Sequence, residues 1–515
     1  MSRLTARKFT GYCKRFSYSI AHYDIDLNLN PRRRKIQADV SIALAAARPT
    51  RKLCFLLADS CNLDRIKYLG IALPIKISPA CPGLNLLSAA LPIRAEAGEK
   101  IVVNIIYSWE VPDQGGRSLE LPPDTHWYPF SPLPQNYTCT LNVITDESMR
   151  VLGPGEFRGV KPAGTRVCNQ WASNIPFRGI HMAAGDFLRT ARPTEPPLEV
   201  AYPRKYLNQA KAIANYCEEL MGFLAEKLGP APFPSLNTVL TDNPQPLVSS
   251  SFYMTSISAG ALEQLKEENP GKDRYVRQYK LLAQSLAHHW LKDNLAVSHP
   301  RERWCLEGLA EYISWLAVEA KYGKAIREKF LLEARERILA APKISLCKGA
   351  NIAGGQLPQW VVDKAGWMLW ICHCLAGEAF LPSVRENLAL CRGTAPAPAE
   401  FFLSLGKIAG CDFSQVYKAW CQSKDQLRIE IAAARNFQAE DGQWQLVFNL
   451  INSGPLKWPY PVEVAMDLAD GASQRHCLLI QKEPHLIGTD SLVQSLTVDP
   501  DITLLNWADA NIYKL

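Results

Sequence analysis

No stretch of the 515-residue chain reaches the roughly 18 consecutive apolar residues that a membrane-spanning helix needs, so none is expected. The opening MSRLTARKFTGYCKRF is basic but lacks the apolar segment of a secretory signal. The 15 cysteines are odd in number and form no repeated C-x-x-C pairs. That pattern argues against a disulfide framework and for a reducing compartment, so a cytoplasmic location is expected. The triplet Asn136-Tyr137-Thr138 then carries no meaning as a glycosylation signal. Charge of one sign is also scarce: 57 Lys and Arg face 50 Asp and Glu, and a net +7 is too weak to argue for nucleic acid or a membrane surface. The one basic cluster, Arg32-Arg33-Arg34-Lys35, lies between two strand-like runs and reads as a solvated hairpin turn. The 36 prolines are dispersed, so no low-complexity tract forms, and no internal repeat is visible. There is no G-x-x-x-x-G-K-[ST] and no G-x-S-x-G. The Gly-rich GPGEFRGVKPAG (153–164) is expected to be a turn, and Ser249-Ser250-Ser251 a loop.

What is present is a globular composition, 47% hydrophobic and 21% charged, on a chain long enough for about three domains. The runs 23–30, 35–44, 101–109 and 137–145 place apolar residues at alternate positions, as half-buried strands do. This β-rich part runs to about residue 198, where ARPTEPP marks a boundary. The period then changes. Leu207, Ala210, Ile213, Ala214, Cys217, Leu220, Met221, Leu224 and Leu228 fall at steps of three and four, and Gly229-Pro230 stops the helix. Further helices are expected around 272–292, 305–322, 325–340, 363–378 and 383–392, giving a mostly helical middle part from 199 to 424. Cys372-His373-Cys374 lies inside one of them; neighbouring residues there point in different directions, so packing and not metal binding is expected. From 425 to 515 short strands return, as in a small sandwich. The fold class is therefore α+β and multidomain.

One stretch carries chemistry. In LLAQSLAHHWLKDNLAVSHPRERWCLEGLAEY (281–312), Gln284 and His288 stand four apart on a helix, the spacing of the two histidines in a zinc-binding H-E-x-x-H. Ser285 stands at the general-base position. Glu307 follows after eighteen residues, the distance at which a carboxylate on the next helix completes such a site. His288, Trp290, Trp304, Glu307, Gly308, Ala310 and Tyr312 match H-x-W and W-x-x-E-G-x-A-x-Y without a gap. This frame resembles the membrane alanyl aminopeptidase family of gluzincin metallopeptidases. YDIDLNLNPRRRKIQADVSIAL, HWYPFSPLPQNYTCTLNV, NYCEELMGFLAEKLGPAPFPSLNTVL and VDPDITLLN are similar to other segments of that family, so the resemblance covers essentially the whole chain. It implies an N-terminal β saddle, a thermolysin-like, mainly helical α/β domain and a C-terminal β sandwich, without the helical domain that ends larger members.

The departures bear on function. Gln284 stands where the family has a histidine ligand, and an amide oxygen is a poor zinc ligand beside an imidazole. Ser285 replaces the general base, and a hydroxyl of ordinary pKa takes no proton from water near neutral pH. Val362, in VVDKAGWML, stands where the resemblance implies an oxyanion-steadying tyrosine, and it has no proton to donate. For the family's substrate-anchoring glutamate, SSSFYMTSIS offers no acid, and GALEQ offers only Glu263 at a poor spacing.

The expected function is thus a peptidase-like protein without zinc catalysis, acting as a binding or scaffold protein for an unknown peptide or protein. No cofactor is then expected, with His288 and Glu307 as vestiges. The alternative is a metallo-aminopeptidase with a rewired site, holding zinc or a harder ion through His288, Glu307 and Glu311, with His289 and Cys305 as weaker candidates.

Overall fold

The computed structural model describes residues 15–30, 33–112, 118–133, 135–243, 248–251, 253–260, 262, 273–295, 302–352, 357–392, 394–425, 427–504, 506 and 512–515. The chain divides into two compact units, Met1–Ser298 with Leu388–Pro396, and His299–Asn387 with Ala397–Leu515.

The first unit is built on an eight-stranded sheet. Its strands run in the order Glu156–Ala163, Arg166–Phe177, Tyr137–Thr145, Tyr18–Asn30, Lys35–Ala46, Lys100–Glu110, Cys61–Tyr68, Ile71–Ala72. The alternation seen in the sequence is the alternation of burial: in Tyr18–Asn30, Tyr23, Ile25, Leu27 and Leu29 face inward and polar residues between them face out. Tyr23 and Tyr107 reach across the core to donate to the Pro129 carbonyl (2.9 Å) and the Trp127 carbonyl (2.6 Å), fixing the HWYP segment.

A second, five-stranded sheet follows in the order Phe187–Arg192, Leu198–Pro203, Leu236–Thr241, Met254–Ser258, Val248–Ser251. Helices α1 (Leu207–Leu228) and α2 (Asp273–Asn294) pack on it. Leu152, Ala183, Phe187, Ala201, Val239 and Met254 form one continuous core under these strands. Two sequence expectations are corrected in this unit. GPGEFRGVKPAG is mostly an edge strand, Glu156–Ala163, paired antiparallel with Arg166–Phe177. Gly159 marks a register shift against Phe157, and only Gly164, at the segment's end, lies in a turn. Ser249-Ser250-Ser251 is not a loop but lies in Val248–Ser251, a strand paired with Met254–Ser258.

The second unit holds α3 (Arg303–Tyr322), α4 (Lys324–Leu339), α5 (Leu346–Ile352), α6 (Gln359–Ala376), the start of α7 (Phe380–Cys391), and α8 (Pro398–Ala409). Two small sheets complete it: Ile429–Gln438, Trp444–Asn452 and His485–Thr489, and Ser473–Leu478, Val462–Leu468, Val493–Val498 and Ile512–Lys514. Indole donors tie the helices to the C-terminal segment: Trp367 to the Thr503 carbonyl (3.2 Å) and Trp370 to that of Ile502 (3.3 Å). Arg335 adds a bond to the Asn506 carbonyl at 3.0 Å.

The expectation of no spanning helix needs qualification. Gln359–Cys391 reaches the length and hydropathy of a membrane span. A 3₁₀ turn at Gly377–Ala379 interrupts it, and Val361 to Cys372 are buried in the unit, as in the core helix of a globular protein.

Candidate functional site

The helix that carries Gln284, Ser285 and His288 is α2, in the first unit. Ser285 is buried, Gln284 half-buried, and His288 is 8% exposed. The neighbouring histidine has another task. His289 Nε2 lies 2.6 Å from the Thr255 hydroxyl on Met254–Ser258, and its ring meets Phe233 edge-on. His289 therefore fastens α2 to the sheet. Trp290 donates from its indole to the carbonyl of Gly229 (2.9 Å), just past the end of α1. That bond satisfies a carbonyl which a helix C-terminus leaves open.

Glu307 is on α3, in the second unit. Its carboxylate accepts a hydrogen bond from Arg303 Nε at 2.8 Å, one helical turn back, and its side chain is 13% exposed. The rest of the W-x-x-E-G-x-A-x-Y frame is buried packing. Trp304 lies 6.5 Å from the Tyr417 ring. A Cβ on Gly308 would stand 2.4 Å from the Ala365 Cβ, so α3 and α6 approach here as only glycine permits. Tyr312 meets His373 Nδ1 at 2.9 Å. Burial, aided by the Arg327 charge, pushes the His373 pKa down to about 4, so the ring is neutral at physiological pH. Within Cys372-His373-Cys374, Cys372 is buried, His373 stacks on Phe380 and Cys374 is exposed, so only the first two take part in helix packing.

Glu311 is fully buried against α6, where a Cβ on Gly366 would stand 3.2 Å from its Cγ. Its charge is felt by the Arg337–Asp363 pair, in which Arg337 grips Asp363 through bonds of 2.8 and 3.1 Å. Cys305 is buried on the side of Tyr417 and Cys421. Val362 is buried in the first turn of α6. Glu263 lies outside the described residues. Among the described residues, no group of three or more His, Cys, Asp and Glu is arranged to hold a metal ion.

Two polar clusters escaped the sequence reading. In the first unit, Glu120 accepts from Ser256, from Thr241 at 3.3 Å and pairs with His181 Nε2 at 3.2 Å. All four are almost completely buried. Burial works to raise the Glu120 pKa, but the His181 bond and charge and the two hydroxyl bonds outweigh it and hold the pKa below the ordinary glutamate value. In the second unit, Cys347 and Cys421 bring their sulfurs to 2.9 Å with Lys364 nearby. The residues within each cluster are far apart in sequence, so no local pattern announces them.

No protein-family model matches the chain. No curated protein matches it by sequence either. Among solved structures, the chain is similar to Legionella pneumophila aminopeptidase A, solved in complex with aspartic acid, with a TM-score of 0.77 and 12% identity. The match covers 97% of this chain and 60% of that one, so the present chain spans under two thirds of its neighbour's length. The fold is aminopeptidase-like.

Proposed function

We propose that this chain is an aminopeptidase-like protein that has given up zinc-peptidase catalysis and serves as a peptide- or protein-binding scaffold. The observation that carries the reading is the Glu307 carboxylate. At the position where a zinc enzyme of this type needs an anionic ligand, Arg303 donates to it at 2.8 Å. A metal ion there would have to displace a guanidinium already hydrogen-bonded to the ligand. The remaining positions agree. Gln284 offers an amide, Ser285 a buried hydroxyl in place of a base, and Val362 a buried hydrocarbon where an oxyanion would need a donor. This residue set does not fit a catalytic zinc, which takes three strong ligands and one open position. The rewired alternative is weakened as well, because Glu311 is sealed against α6 and lies near Asp363 and Arg337.

The finer layout belongs to the same proposal: a gluzincin-type ancestor, a β saddle to about residue 198, a thermolysin-like part from 199 to 424 and a β sandwich from 425 to 515. So do a cytoplasmic location and partners that are neither nucleic acid nor membrane. The similarity to a solved aminopeptidase supports the general frame, and the replaced residues support the loss of chemistry.

The test is elemental analysis of chelator-free, untagged protein, joined to a hydrolysis panel of aminoacyl and peptide substrates with zinc added. Less than about a tenth of an equivalent of transition metal, with no turnover, is expected. Near-stoichiometric metal lost in Glu307→Ala, or turnover abolished by it, refutes the proposal.

A further inference from the structure

Helix α5 (Leu346–Ile352) is short, yet it is pinned firmly. Leu346 and Ala350 are buried, and a Cβ on Gly349 would fall 2.2 Å from the Trp360 ring at the start of α6. That packing sets the direction of Cys347. On the other side, the π-helical turn Lys418–Gln422 presents Cys421, which is fully buried. Both elements also pack on α6, which supplies Lys364. The two sulfurs stand 2.9 Å apart, about 1 Å beyond the S–S bond length of ~2.05 Å.

From this geometry we infer that Cys347 and Cys421 form an oxidation site, a dithiol that closes to a disulfide stapling α5 to the Lys418–Gln422 turn. The roles divide by environment. Cys347 is half-buried, within reach of a small disulfide such as oxidised glutathione; Cys421 is closed off. The contact with Cys421 lowers the Cys347 pKa; burial opposes this, and the Lys364 ammonium assists. The same contact and burial raise the pKa of Cys421. Burial also brings Lys364 down to about 8, so it remains mostly protonated at neutral pH.

Cys347 thiolate attacks one glutathione sulfur, the glutathione S–S bond breaks, and one glutathione thiolate leaves. Cys421 then loses its proton and attacks the Cys347 sulfur, expelling the second glutathione thiolate. Two electrons pass from the protein thiols to the glutathione disulfide, and two protons end on the two glutathione thiolates. The closed loop spans 74 residues, so the staple strongly restricts the unfolded chain.

The experiment equilibrates the reduced full-length protein in glutathione buffers of increasing oxidised fraction. Remaining thiols are alkylated, and the chain is digested without reduction for mass mapping. The expected product links the Cys347 peptide to the Cys421 peptide. It forms where the exposed Cys477 yields only a mixed disulfide with glutathione, and it raises the thermal midpoint by roughly 5 °C or more, reversibly with reductant. In Cys421→Ser, Cys347 should stop at a stable glutathione adduct. The inference is overturned if wild-type Cys347 and Cys421 remain alkylatable after Cys477 has reacted, or if wild-type Cys347 itself stops at the adduct. Mapping the wild-type chain decides the matter even if a variant fails to fold.

Discussion

Replacing Glu120 probes whether a buried carboxylate holds the first unit together. Glu120 lies on Leu119–Leu121, beside Met182–Gly185, and its three partners come from His181 and from the adjacent strands Leu236–Thr241 and Met254–Ser258. One side chain thus spans the small sheet and the five-stranded sheet. In Glu120→Ala, a buried histidine and two buried hydroxyls lose their acceptor. Orphaned buried polar groups cost about 1–3 kcal/mol each, so the three together cost about 3–5 kcal/mol once the site relaxes. Glu120→Gln behaves differently. Its amide oxygen still accepts on the His181 and Ser256 side, and its NH₂ group can donate to Thr241, whose hydroxyl also accepts. Only the charge is lost, at about 1–2 kcal/mol.

The assay is native-state hydrogen exchange on peptides covering 180–186 and 254–258. At a factor of ten per 1.4 kcal/mol, Glu120→Ala should exchange roughly 10²–10³ times faster, and Glu120→Gln about tenfold faster. Acid separates the two effects further. The Glu120 pKa is depressed in the fold, so its charge stabilises fully above the unfolded value of about 4.3. That contribution disappears as pH falls through the lower folded value, so wild type and Glu120→Gln should converge in acid. Equal losses for Ala and Gln, or an Ala variant within about 0.5 kcal/mol of wild type, would refute the argument.

Three further outcomes are expected. Gly308→Ala forces a methyl to within 2.4 Å of Ala365, so urea unfolding should show a loss of about 1–3 kcal/mol without any change in metal content. Tyr312→Phe removes the 2.9 Å contact with His373, whose ring is neutral, and should cost about 1 kcal/mol, independent of pH between about 5 and 8. Glu307→Ala breaks the 2.8 Å i,i+4 pair with Arg303, so thermal melting should register at most about 1–3 kcal/mol, far less than losing a bound zinc.

The strands and helices that the sequence announced are those whose one face is buried. Tyr18–Asn30 alternates because every second residue enters the core, and Leu207–Leu228 repeats at three and four for the same reason. Glu156–Ala163 gave no such signal: it is an edge strand, largely exposed, and its glycine and proline suit a bulged edge as well as a turn. Val248–Ser251 failed similarly, since three serines carry no apolar face to read. At the candidate site the ligand spacing was visible, and so, in principle, was the countersign. Arg303 stands four residues before Glu307, the separation at which helical side chains meet. Glu120 and His181 are 61 residues apart, and their meeting depends on how two strands pair.

If the proposed loss of catalysis holds, this contrast accounts for a frame that outlasts its chemistry. Trp290 closes a helix end, Trp304 packs near Tyr417, Gly308 lets α3 reach α6, and Tyr312 engages His373. Each of these residues has a packing duty that holds whether or not a metal is present, and each loss would cost stability. Gln284 is half-buried, and Ser285 and Val362 are buried in the helices that bear them. Only catalysis would distinguish histidine from glutamine at 284, or glutamate from serine at 285. Stability therefore accounts for the recognisable frame, whatever the residues at 284, 285 and 362 do. Fold resemblance alone therefore does not settle activity, and the proposal rests on Gln284, Ser285, Val362 and the Arg303 bond to Glu307.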